Sequence, residues 1–158
     1  MNAQRVWLAS DAAATAAIGA ALAERLQPGS VVFLHGELGA GKTTLVRGLL
    51  QHLLPGQRVK SPTYSLVERY QAGAMTILHL DLYRTNEPGV LEFIGIREDI
   101  GRAVLLVEWP EKAAAALPAV DLDLWLAHCD GGREIRMQAH TARGRLLLPG
   151  HQPELDRT

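Results

Sequence analysis

The chain has 158 residues, 16 Lys plus Arg against 17 Asp plus Glu, 47% hydrophobic residues and one cysteine. That length suits a single domain able to bury roughly two-thirds of the surface its unfolded form exposes, and a lone Cys129 excludes a scaffold of intramolecular disulfides. A formal charge of -1 gives no electrostatic reason to expect general binding to nucleic acid, DNA included, or to an anionic membrane. No apolar run approaches the roughly 20 residues that span a bilayer, and the N-terminus lacks a secretory pattern. The expectation is a soluble, cytoplasmic protein.

Ser10-Asp11 opens an Ala-rich segment in which Ile18, Leu22 and Leu26 recur every fourth residue, predicting a helix capped by Ser10 and ended by Pro28-Gly29. Val31-Val32-Phe33-Leu34 is continuous rather than alternating, as in a strand covered on both faces. A second helix is predicted from Lys42, with Leu45, Leu49 and Leu53 on one stripe and Pro55-Gly56 as its stop. From Thr63 to Leu82 the period becomes two, with a turn at Gln71-Ala72-Gly73-Ala74. The returning strand puts Leu78, Leu80 and Leu82 on one face, so His79 and Asp81 project from the other.

Val90 to Ile100 reads as short helical pieces interrupted by Gly95, and Ala103 to Val107 as a second two-sided strand ending at Glu108-Trp109-Pro110. Pro110 suits the first turn of a short helix reaching Leu117. Leu122, Leu124 and Leu126, then Ile135, Met137 and Ala139, alternate with polar residues across Asp130-Gly131-Gly132 as a hairpin. The whole predicts one α/β domain with a mixed parallel and antiparallel sheet over residues 1–150, followed by a loose tail at 151–158.

Gly36-Glu37-Leu38-Gly39-Ala40-Gly41-Lys42-Thr43 fits the P-loop pattern at every fixed position, between a buried-type strand and an amphipathic helix. Glycines let successive amides turn inward as a nest for phosphate oxygens, aided by the positive end of the next helix. Lys42 would meet the β- and γ-phosphates, Thr43 a Mg2+ ion, and Thr44 the α-phosphate side. A second acidic group for magnesium is sought at the end of an apolar strand, and Glu108 after Val104-Leu105-Leu106-Val107 has that form. An ordinary strand-end salt bridge is its alternative.

Asp81 could polarise an attacking water or hold magnesium through one, or else cap a turn or pair with Arg84. His79 reads as a structural residue rather than a catalytic base. Thr63 in Ser61-Pro62-Thr63 stands where switch proteins sense the γ-phosphate, although the tripeptide is also ordinary turn chemistry. Trp109 suits either core packing or a partner contact.

The loop through Thr44, Ser61-Pro62-Thr63-Tyr64, His79-Leu80-Asp81-Leu82-Tyr83-Arg84 and Glu108-Trp109-Pro110-Glu111 together resemble, in order and spacing, the bacterial TsaE (YjeE) family. That resemblance implies a P-loop NTPase-like three-layer fold. It also implies an ATP- and Mg2+-dependent ATPase required for N6-threonylcarbamoyladenosine at position 37 of tRNAs reading codons that begin with adenine. The implied partner is the TsaB–TsaD heterodimer, through which tRNA would be met indirectly. It puts Lys42 and the loop from Gly36 to Thr44 on the phosphates, Thr43 and Glu108 on magnesium, Thr63 in a switch role and Asp81 in hydrolysis. Trp109 becomes a function-sensitive neighbour of the partner interface. Asp11 and Arg133 are implied near the adenine, with a solvated hairpin arginine as the alternative for the latter.

Two other classes compete. A P-loop small-molecule kinase would need an arginine-bearing lid, and the segment after Glu108 is Ala-rich and nearly arginine-free up to Leu126. A nucleotide-gated assembly factor without significant turnover is not separated from an ATPase by sequence. A signalling GTPase is disfavoured, because neither Asn-Lys-x-Asp nor Asp-x-x-Gly occurs in the chain.

Overall fold

A computed structural model describes residues 3–62, 65–87, 89–93 and 95–154, the Phe93 side chain excepted. Its strands are β1 (Gln4–Ala9), β2 (Val31–His35), β3 (Val67–Ala72), β4 (Met75–Asp81), β5 (Val104–Glu108), β6 (Leu122–Cys129) and β7 (Gly132–Ala139). They form one seven-stranded sheet in the order β1-β7-β6-β2-β5-β4-β3. The middle is parallel, β6 with β2, β2 with β5 and β5 with β4, whereas β1–β7, β6–β7 and β3–β4 pair antiparallel. The two continuous apolar runs are therefore the two central strands β2 and β5, as burial on both faces requires.

Helices cover both faces. Helices α1 (Ala12–Ala23) and α2 (Lys42–Leu53) carry Ile18, Leu22, Leu45 and Leu49 onto Val32, Leu34, Val104 and Leu106. The short helix α3 (Val90–Phe93) and a 3-10 turn at Pro110–Ala113 close the other face over Leu78, Leu80, Leu105 and Val107. The result is the three-layer α/β arrangement. Each fully buried leucine contributes about 1.5–3 kcal/mol of transfer free energy, so the two cores hold the strand tips rigidly beneath the loops.

Helices α1 and α2 approach backbone to backbone. A Cβ on Gly19 would lie 2.0 Å from the Leu45 carbonyl oxygen, and one on Gly48 would lie 2.2 Å from that of Ala16. The alanine-rich composition of α1 serves this close packing, because larger side chains on the shared face would force the helices apart.

Some expectations need correction. Asp11, not Ser10, caps α1: its Oδ1 accepts from the Ala14 amide at 2.8 Å, three residues on, as an N-cap does. Helix α1 ends at Ala23, and Leu26 packs on the core from beyond it. The helix expected to reach Leu117 is the single 3-10 turn Pro110–Ala113, started by a left-handed Trp109. Strand β3 begins at Val67, after Leu66 at φ 62 breaks the alternation, and Thr63 lies outside the described residues.

Two elements carried no prediction: edge strand β1, and α4 (Ala142–Leu147), capped by the Thr141 hydroxyl on the Gly144 amide. Gln152 Nε2 donates to the Leu8 carbonyl at 2.6 Å, tying the segment after α4 to β1. Among the described residues no helix is long and apolar enough to cross a membrane.

Candidate functional site

The loop from Gly36 to Gly41 leaves the end of β2 and enters α2 at Lys42. Gly36 and Gly41 have φ of 147° and 107°, values that L side chains rarely adopt. A Cβ on Gly36 would also strike the Leu126 carbonyl at 2.5 Å. Gly41 caps α2 without a side chain, so the first-turn amides and the positive end of a 12-residue helix face the loop. That is the standard local arrangement for receiving an anion.

Lys42 is 5% exposed despite its charge. Its ammonium donates to the carbonyls of Gly36 and Glu37 and stands 4.0 Å from the centroid of the Trp109 ring. Burial lowers its pKa from 10.5, against the opposing charges of Glu108, Asp81 and Glu111. One turn of α2 thus aims a partly desolvated cation into the loop.

Opposite it stands the end of β5. Glu108 is 2% exposed, and the Thr43 hydroxyl lies 3.0 Å and 3.2 Å from its two carboxylate oxygens. His79 Nε2 meets Glu108 Oε2 at 2.6 Å from the neighbouring strand β4. The parallel register sets Asp81 beside Glu108 and His79 beside Leu106, which brings this polar group to one face of the two strands. Burial raises the Asp81 carboxyl above its ordinary 3.8; the Tyr83 amide, donating to Oδ1 at 3.0 Å, works against that shift.

These residues line one depression of about 240 Å³, built from the loop between Leu38 and Thr44 together with Asp81, Tyr83, Glu108 and Trp109. A second, of about 280 Å³, includes Asp11, Thr15, Gly39, Thr44 and Arg133. Gly39, Gly41 and Thr44 belong to both, so the two adjoin across the loop. Arg133 reaches from β7 and donates through Nε to the Ala40 carbonyl at 3.1 Å and through a terminal nitrogen to Gly39 at 3.3 Å. The structure therefore gathers Lys42, Thr43, Asp81, Glu108 and Trp109 around one depression, and sets Asp11 and Arg133 beside the other.

Sequence reasoning missed two of these relationships: the His79–Glu108 contact and the grip of Arg133 on the loop. The signal for the first was His79 sharing the face of Asp81. The second had none.

The oxygen donors suit a hard cation. Magnesium typically takes one or two protein oxygens and fills its remaining positions with water and phosphate. Thr43 and Glu108 supply such a pair, and no cluster of three or more His, Cys, Asp or Glu suited to a metal occurs among the described residues.

A mixed sheet whose central strand runs through a glycine loop into a helix defines an α/β protein with its site at the strand tips, where open sheets of this kind bind ligands. Residues 9–135 match the family described as threonylcarbamoyl adenosine biosynthesis protein TsaE, and the chain belongs to that family. The tRNA threonylcarbamoyladenosine biosynthesis protein TsaE of Haemophilus influenzae is 44% identical over 119 residues, 75% of each chain. The Bacillus subtilis protein of that name is 34% identical over 146 residues, 91% of each. The crystal structure of Bacillus subtilis YdiB superposes with a TM-score of 0.74 at 30% identity, covering 93% of both chains. Proteins of the TsaE family are involved in tRNA threonylcarbamoyladenosine biosynthesis.

Proposed function

We propose that the chain is a Mg2+-dependent ATPase, weak alone, required for N6-threonylcarbamoyladenosine formation at position 37 of tRNAs reading codons that begin with adenine. It acts with the TsaB–TsaD complex in the cytoplasm and meets tRNA through that complex. The observation that carries this reading is the approach of Thr43, in the first turn behind the glycine loop, to Glu108 at the tip of the adjacent strand, 3.0 Å apart. Phosphate-loop enzymes need a hydroxyl and an acidic group at those two places.

In this reading the loop amides and the N-terminus of α2 bind the phosphates, and Lys42 leaves the Gly36 and Glu37 carbonyls to meet them. Thr43 and Glu108 hold magnesium, which when bound neutralises phosphate charge. Asp81, at the rim of the same depression, accepts a hydrogen bond from the attacking water and orients it. The adenosine lies on the side of Asp11, Thr44 and Arg133.

Lys42 is the one cation among the described residues lining the phosphate depression. A second cation at the transition state commonly accelerates phosphoryl transfer by about 10³–10⁵. A partner that supplied one would raise the rate of this chain.

Calorimetric titration with ATP and Mg2+, followed by reconstituted tRNA threonylcarbamoylation with and without the chain, tests the proposal. Binding lost in Lys42→Ala and modification that depends on the chain are expected. Phosphorylation of an added metabolite with no other protein present would favour a kinase instead.

A further inference from the structure

The proposed chemistry uses Asp81 and leaves its strand neighbour His79 unexplained. That ring is 0% exposed, within a strand whose other fully buried residues, Ile77, Leu78 and Leu80, are all apolar. Burying a polar ring is unfavourable unless its nitrogens are hydrogen-bonded. His79 places Nε2 on Glu108, and its Nδ1 has no partner among the described residues. Packing alone gives no reason for a polar ring here, since an aliphatic side chain would fill the same place without burying two ring nitrogens. What the imidazole adds is a single donor aimed at a single carboxylate.

A carboxylate only accepts, so the hydrogen of that contact sits on Nε2. Glu108 is then held from two elements. His79 of β4 grips Oε2 at 2.6 Å, and Thr43 of α2 lies 3.0 Å from Oε1. The hydroxyl also lies 3.2 Å from Oε2, the oxygen His79 holds, so contacts from two directions fix the plane of the carboxylate, which a single one would leave free to turn. We infer that His79 is a positioning residue: by holding Oε2 it turns Oε1 of Glu108 toward the Thr43 hydroxyl and presents a preset pair of oxygens to the divalent cation of a bound nucleoside triphosphate. Hydrogen bonds behind a metal ligand act in this way, orienting the ligand before the ion arrives. The inference rests on the nucleotide and magnesium reading of the preceding section.

The test is calorimetric binding of a non-hydrolysable ATP analogue across a series of Mg2+ concentrations, for the parent chain, His79→Leu and His79→Gln. His79→Leu is expected to raise the Mg2+ concentration at half-effect by about 10- to 100-fold. Its affinity for the analogue without Mg2+ should stay within about threefold, since the loop and Lys42 are untouched. His79→Gln, which keeps an N–H donor, should recover most of the Mg2+ response. An unchanged Mg2+ midpoint in His79→Leu, equal weakening with and without Mg2+, or a Gln variant as impaired as Leu overturns the inference.

Should the Leu variant fail to fold, nitrogen-detected NMR of the parent imidazole decides. A hydrogen on Nε2 supports the positioning role, and an Nε2 without one removes it. A parent chain that binds no analogue at all defeats the underlying nucleotide reading, whereas a failure confined to the His79 variants defeats this inference alone.

Discussion

The Lys42 ammonium rests on the face of the Trp109 indole, 4.0 Å from its centroid, while the Tyr83 ring lies 4.9 Å from the same indole. Trp109 reaches that position from a left-handed backbone at φ 59, ψ 49, a conformation costing roughly 1–2 kcal/mol for a residue with a Cβ. A cation over an indole gains about 0.5–2 kcal/mol, which a phosphate must outbid to draw the lysine away. Trp109→Ala is therefore expected to bind nucleotide at least as tightly as the parent, by up to about tenfold. The parent's tryptophan fluorescence should change on binding by more than the variant's, because Trp109 lines the phosphate depression, whereas Trp7 packs in the core and Trp125, stacked on His35, does not line it. Weaker binding by the variant would instead make the indole part of the ligand's contact surface.

Asp81 carries a stability cost tied to its charge. Burial first, and the neighbouring Glu108 charge further, raise its folded pKa above 3.8, while the Tyr83 amide, His79 and Lys42 act the other way. A raised carboxyl binds its proton more tightly folded than unfolded, so its contribution to stability grows as pH falls through the folded pKa toward 3.8 and is lost above it. Asp81→Asn keeps an acceptor for the Tyr83 amide and removes the charge. It should melt above the parent at neutral pH, with the gap closing as the pH approaches the ordinary carboxylate range. It should also retain nucleotide binding and lose turnover. Identical melting at neutral pH would contradict the desolvation argument, and lost binding would contradict the role assigned to the residue.

Gly48 sits in a helix where alanine is intrinsically better by roughly 0.5–1 kcal/mol. Contact decides against the exchange. The new methyl would stand 2.2 Å from the Ala16 carbonyl and 2.6 Å from its Cα, and a helix backbone cannot move aside as a flexible side chain can. Overpacking of this kind costs about 1–3 kcal/mol or more, so Gly48→Ala should lower the denaturation midpoint despite its better propensity. Because α2 starts at the glycine loop, nucleotide affinity should fall with it. A variant of parental stability would mean the two helices separate without penalty.

The same helix illustrates what could be read beforehand. The glycine loop and the β2–α2 unit were legible because every fixed residue lies within one short stretch, from Gly36 to Thr43, and the hairpin because Leu122 to Ala139 alternates cleanly. Nothing in the local sequence marks Gly48, because its reason is another helix's backbone. Strand β1 hid because its exposed face carries Val6 and Leu8, 54% and 62% exposed, while its inward residues are Trp7 and Ala9, so hydropathy did not mark its buried side. Helix α4, with six residues, is too short to declare a period. Ser10 and Asp11 are both good caps, and the choice between them depends on where the chain leaves β1. His79 meets Glu108 through the register of β4 on β5, which local sequence does not specify.

Arg133 joins a role the sequence suggested, a place beside the base, to one it did not, a grip on the glycine loop. Its guanidinium lines the second depression, beside the side expected to hold the base, and at the same time donates to the Ala40 and Gly39 carbonyls. Hydrogen bonds from a charged donor are worth about 1.5–3 kcal/mol, enough to stiffen a glycine loop against its own flexibility. If the loop grip dominates, Arg133→Ala should weaken ATP and inorganic tripolyphosphate alike, by about 10-fold, because both rely on the same ordered amides. Lysine, with a point charge and no planar fork, should not restore either. If the arginine instead stacks on the base, tripolyphosphate affinity will be untouched and only the nucleotide will suffer. Competitive titrations with the two ligands distinguish these outcomes, and equal losses would make Arg133 a residue of the loop rather than of the base pocket.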